Sequence, residues 1–209
     1  MTHTLHRIKS SDGYFDDYVV LIMPARGINN ENSADVLRKY CDLLYGFSPI
    51  NMGGIGSGTL ALNSFDEMKA RITNDTPMIH AVYRDRATLQ KVLKSLKEAD
   101  YGYSVVVSGL LDDVNECANA VGIKRHSVDI SLGIWGKTDR LPRREVLEIS
   151  TMCGHAMVSP VLILKMARDV HDGKITAAKA AAKLARPCAC GIFNTEKTER
   201  LLKTLATSL

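Results

Sequence analysis

The apolar positions of the chain change period several times, and each change marks an element. Tyr18-Val-Val-Leu-Ile-Met23 is a continuous, β-branched apolar run closed by Pro24, the pattern of a buried strand. Residues 34–45 switch to helical spacing, with Leu37, Tyr40, Cys41 and Leu44 on one stripe. Ser64-Phe-Asp-Glu67 reads as a capping box opening a short helix. Met78-Ile-His-Ala-Val-Tyr83 predicts another strand, followed by an amphipathic helix over 87–98 through Leu89, Val92, Leu93 and Leu96. Tyr103-Ser-Val-Val-Val107 predicts the next strand and 111–121 the next helix. From His126 to Ile134 the chain alternates through Val128, Ile130 and Leu132, which predicts one more strand.

Strands alternating with helices point to the α/β (or α+β) class, a mixed sheet with covering helices. A ferredoxin-like sandwich and a small doubly wound sheet both fit. Near Leu141-Pro142 the pattern becomes wholly helical. Helices are expected over 144–150 and over 161–171, the latter capped by Ser159 with Pro160 at its first position. Asp172-Gly173 ends that helix. Thr176 caps an alanine-rich helix to about Ala185, and Asn194 caps a last one through Leu201, Leu202 and Leu205. The expected organisation is a sheet domain over 1–141 and a helical metal-binding subdomain over 142–209, packed on the sheet.

Composition narrows the partners. The 45% hydrophobic and 24% charged content is that of a globular chain, which excludes a disordered one. No apolar run approaches the roughly 20 residues that span a bilayer, and the first residues lack a signal-peptide core. The expectation is a cytoplasmic protein without a membrane partner. A net charge of +4 is too small to demand nucleic acid, so none is expected, whereas a small anionic substrate suits it.

Five cysteines is an odd number, unsuited to a disulfide framework, and three of them crowd into the last third. Cys153 lies in Thr-Met-Cys-Gly-His-Ala-Met, and Cys188 and Cys190 in Arg-Pro-Cys-Ala-Cys-Gly-Ile-Phe-Asn, each between two predicted helices. If the intervening helices form an antiparallel hairpin, both loops return to one end and three thiolates converge there. Glycines follow Cys153 and Cys190, and the loops lead into helix N-termini whose dipoles favour anions. Cys41 and Cys117 lie on apolar helical stripes and read as core.

Three cysteines without a fourth suit a [4Fe-4S] cluster with one open iron. Zinc on Cys153, His155, Cys188 and Cys190 is the rival, although single-residue spacers strain two ligands onto one small ion. Ordinary thiols or a redox pair are the bland alternative. The arrangement resembles that of non-redox enzymes in which one iron of a [4Fe-4S] cluster binds substrate, such as hydro-lyases and some desulfurating enzymes. The likeness covers two short loops and lacks the strict motif of either group. It implies a lyase, dehydratase or desulfurase, with His155 moving a proton. A zinc- or cluster-stabilised redox-sensing or partner-binding module, or an accessory delivering sulfur or metal, are the non-catalytic alternatives.

Arg84 and Arg86 end one strand, while Lys137, Arg140, Arg143 and Arg144 sit at the join of the two parts. If they meet, Arg84, Arg86 and Arg143 form a rim for an anionic substrate; a solvated charged surface is the bland reading and the one with the higher prior. The glycine-rich stretch 52–59 reads as a tight turn before a phosphate cradle, since it lacks the phosphate-loop and dinucleotide spacings. Gly136-Lys137-Thr138 fails the same test because Ser131 stands where the first glycine belongs. Trp135 is expected in the core or a pocket wall.

Overall fold

The computed structural model describes Arg7, Lys9 and residues 13–130 and 133–209. The first half runs β1 (Tyr18–Met23), α1 (Ser33–Tyr45), β2 (Asn51–Gly54), β3 (Gly58–Thr59), α2 (Phe65–Ala70), β4 (Ile79–Tyr83), α3 (Arg86–Ala99), β5 (Ser104–Ser108) and α4 (Leu111–Ala120). From Arg144 onward the chain is helical: α5 (Arg144–Ser150), α6 (Pro160–His171), α7 (Ala177–Ala185) and α8 (Thr195–Thr207).

The strands form one sheet in the order β3-β2-β4-β1-β5, every neighbouring pair antiparallel. With the short β3 set aside, β1-α1-β2-β4-α3-β5 and this order are those of a ferredoxin-like βαββαβ sandwich. The doubly wound alternative is thereby corrected, because a doubly wound sheet needs parallel neighbours. The glycine-rich stretch is the β2–β3 hairpin, turning through Gly56 and Gly58 at positive φ. It is a turn, as expected.

One expected strand does not form among the described residues. The described residues of 126–134 pair with no strand and are exposed, and Ser131 and Leu132 lie outside the described residues. Alternation sets which side chains share a face, but a strand also needs a partner for its backbone. Trp135 nearby is 82% exposed, so it is neither core nor a buried wall.

Strand periodicity gives the sheet two buried faces. Tyr18, Val20, Ile22, Met52, Ile79, Ala81 and Tyr83 pack against α1, α3 and α4. Val19 and Val82 face the other way and join a core built from α5 to α8. The C-terminal helices therefore cover the sheet face that α1 and α3 leave bare. Their ends follow the side chains that cap them: Ser159, Thr176 and Asn194 each accept a hydrogen bond from a first-turn amide. The capping box of Ser64 and Glu67 opens α2 in the same way.

Candidate metal centre

α6 and α7 pack on each other and on α8, so the loop before α6 and the loop after α7 come to one end. The first carries Cys153, the second Cys188 and Cys190, and all three are buried at 2%, 0% and 1% exposure. Cys153 and Cys188 lie close enough across the loops for each to shift the other's acidity. Cys188 Sγ and Cys190 Sγ stand 3.9 Å apart, and His155 Nδ1 lies 3.8 Å from Cys190 Sγ. His155 itself is exposed, at the rim of the sulfurs.

The loop geometry has a local cause. Gly191 has a φ of 75° and lies directly on β2, where a side chain would meet Gly53 N and the Met52 carbonyl carbon at 2.5 Å. Only glycine permits this seat, and it is what brings Cys190 down onto the sheet. Asn51 Nδ2 donates to the Phe193 carbonyl at 3.0 Å and fixes the far side of the loop. Gly191→Ala therefore combines left-handed strain with a backbone clash. It is expected to cost about 3 kcal/mol or more, a fall in melting temperature of roughly 6–12 °C, checked by thermal unfolding beside wild type.

The three thiols differ in acidity. Contact with Cys188, then burial, push the Cys153 thiol well up. Cys188 is also raised: a hydrogen bond from Cys153 favours its thiolate, but contact with Cys190 and burial outweigh it. Cys190 is lowered, first by a hydrogen bond from Cys188 and then, against burial, by the Ile192 amide. The backbone amides of Met157 and then His155 oppose that rise at Cys153. Backbone donors of this kind stabilise anionic sulfur. As the side chains stand, no group of three or more Cys, His, Asp or Glu among the described residues is arranged to hold an ion. Cys41 and Cys117 are buried in the opposite core, on α1 and α4, as expected.

No match is found when the chain is compared with protein-family models, curated proteins and solved structures.

The arginines expected to hold a substrate each face an acidic side chain. Arg84 forms a two-point ion pair with Glu196 at 2.6 and 3.0 Å. Arg86 pairs with Glu116 and Asp113, and Arg143 with Glu145 and the Ser208 hydroxyl. No hydrogen bond or ion pair among the described residues joins the two arginine groups. These are exposed pairs, so Arg84→Ala is expected to cost less than about 1 kcal/mol, read as a small shift of the urea midpoint.

Sequence reasoning missed the polar frame behind the cysteines. Asp17, fully buried just ahead of β1, pairs with Arg7 and stands 3.7 Å from Lys197 Nζ. Asn194 Nδ2 donates to Asp17 Oδ1 at 3.2 Å and to the Asp16 carbonyl at 2.8 Å, while its Oδ1 caps α8. Arg7 Nη2 donates to the Ile192 carbonyl at 2.9 Å and to the Met152 carbonyl at 3.4 Å. The only sequence signal was Asp16-Asp17 directly before a strand that is otherwise apolar.

Proposed function

We propose that this chain is a metalloprotein whose function resides in a thiolate centre formed by Cys153, Cys188 and Cys190. The observation that carries the reading is the convergence of three buried sulfurs from two loops that are distant in sequence. Soft thiolates in a buried pocket with amide donors suit zinc or an iron–sulfur centre and disfavour hard cations.

The sulfur spacing supports a single tetrahedral ion. Two thiolates on one zinc at about 2.3 Å stand about 3.8 Å apart, and a thiolate and an imidazole nitrogen stand about 3.6 Å apart. The separations of 3.9 Å for Cys188–Cys190 and 3.8 Å for Cys190–His155 lie close to those edges. Gly191, at positive φ directly after Cys190, seats the second of these sulfurs against the sheet. Cys153, His155, Cys188 and Cys190 then complete four ligands after small side-chain rotations, and the chain is a zinc-stabilised redox-sensing or partner-binding module.

A second reading has its own support. His155 lies exposed at the rim while the three sulfurs are buried, which suits a three-cysteine [4Fe-4S] cluster open towards solvent. An open iron would bind a small anionic substrate as a Lewis acid, and His155 would move a proton in lyase, dehydratase or desulfurase chemistry. This reading requires the sulfurs to spread, because each binds a different iron.

One measurement separates the readings: metal and acid-labile sulfide content of protein purified without oxygen. One zinc and no sulfide supports the module. Near four irons and four sulfides supports the enzyme. Protein that takes up neither zinc nor a reconstituted cluster overturns both.

A further inference from the structure

We propose that the outer face of the α6–α7 hairpin docks the phosphate backbone of a nucleic acid duplex. Residues 160–186 hold six Lys and Arg against two Asp; the chain has 27 basic and 23 acidic residues, so the remainder holds 21 of each. The whole net charge of +4 therefore sits on one helical hairpin. Helical spacing turns that charge outwards. Lys179, Ala182 and Lys183, continued by Arg186 at the cap, follow one stripe of α7 and are exposed, while Ala180, Ala181 and Leu184 are buried on its other side. Between this stripe and α6 runs an open groove of about 570 Å³. Lys165, Lys174, Lys179 and Lys183 line it, with Asp169 the one acid among them.

The two acids of the hairpin are already committed. Asp169 pairs with Lys165 at 2.5 Å and Asp172 with Lys174 at 2.7 Å, which holds those two ammonium groups beside the groove. Lys179 and Lys183 form no ion pair among the described residues and stand one helical turn apart, about 6 Å along the axis. Four ammonium groups around one groove attract a polyanion. The chemistry of the lining selects which. Interfaces that bind protein segments are enriched in Arg and aromatic side chains and depleted in Lys, and this lining holds neither an arginine nor an aromatic ring. Lysine meets phosphate as a point charge and needs no fixed fork geometry. A single strand would find no aromatic platform for its bases, whereas a duplex stacks its own and presents its phosphates. A net charge of +4 gives no reason to expect nucleic acid, but its concentration on one hairpin does. No groove residue belongs to either cysteine loop, so this surface stands independently of what occupies the thiols.

The test follows the fluorescence anisotropy of labelled DNA duplexes, of about 20 base pairs and two unrelated sequences, with full-length protein at about 50 to 200 mM salt. The wild-type chain is expected to bind both sequences alike. Contact with about four phosphates predicts a fall in affinity of roughly a hundredfold across that salt range. Lys179→Ala with Lys183→Ala is expected to weaken binding to both sequences by about tenfold and to lower the salt slope by about two, one for each phosphate contact. Both side chains are exposed, so the melting temperature of this variant is expected to stay at the wild-type value. Lys91→Ala with Lys94→Ala removes two exposed lysines from α3, across the sheet, and is expected to bind as wild type. Equal losses in the two double variants overturn the groove, because charge anywhere on the surface then suffices. So does the absence of duplex binding at the lowest salt. A glutamate-rich peptide or a single strand of the same length that binds more tightly than the duplex overturns the duplex as occupant.

Discussion

Cys188→Ala is expected to abolish metal retention, lowering affinity by well over the ten- to hundredfold that loss of an outer-shell partner costs. Cys188 is the middle sulfur, close enough to Cys153 of the other loop to shift its acidity and 3.9 Å from Cys190 in its own. Its removal leaves two thiols that no longer share a neighbour. Cys153→Ala and Cys190→Ala are expected to lose the metal too, whereas Cys41→Ala and Cys117→Ala keep it, because those two lie in the core on the other side of the sheet. Metal analysis after dialysis against a chelator reads all five. Full metal content in any of the first three variants rejects the ligand set. His155→Ala divides the occupants: weaker zinc if the imidazole is a ligand, unchanged iron but slower turnover if it serves an open cluster.

Much of the frame around these cysteines was legible because it is local. Ser64, Ser159, Thr176 and Asn194 announce helix starts through a bond closed within three residues, and each start falls where its cap predicts. The apolar stripes of α1 and α3 identify their buried residues for the same reason. The meeting of the two cysteine loops also followed from local reasoning, since two short antiparallel helices must bring their outer ends together. Strand order was not legible. Alternating strands and helices suit parallel and antiparallel sheets alike, and the choice depends on β4 inserting between β2 and β1. Val128 and Ile130 show the complementary failure. Their alternation is that of a strand, but among the described residues no neighbouring backbone pairs with it. Arg7 lay furthest out of reach, for its partners Met152 and Ile192 are 145 and 185 residues away and are carbonyls, which no side-chain pattern reports.

Asp17→Ala should be the most destabilising change outside the apolar cores, at about 3–5 kcal/mol. The carboxylate is fully buried and faces two cations, Arg7 and Lys197, which are buried as well. Taking the charges out of water is costly, and their mutual attraction, the amide of Asn194 and the two carbonyls that Arg7 reaches offset it. Deleting the carboxylate strands both cations, whereas Arg7→Met leaves Asp17 with Lys197, so the two variants are expected to differ by several-fold in cost. Asp17→Asn should fall between, since the amide keeps a hydrogen-bonding group of the same shape but loses the charge. Urea unfolding of the metal-free proteins reads the order directly. If Asp17→Ala and Arg7→Met lower the midpoint equally, then Lys197 contributes nothing at 3.7 Å, and the frame behind the cysteines reduces to a single ion pair.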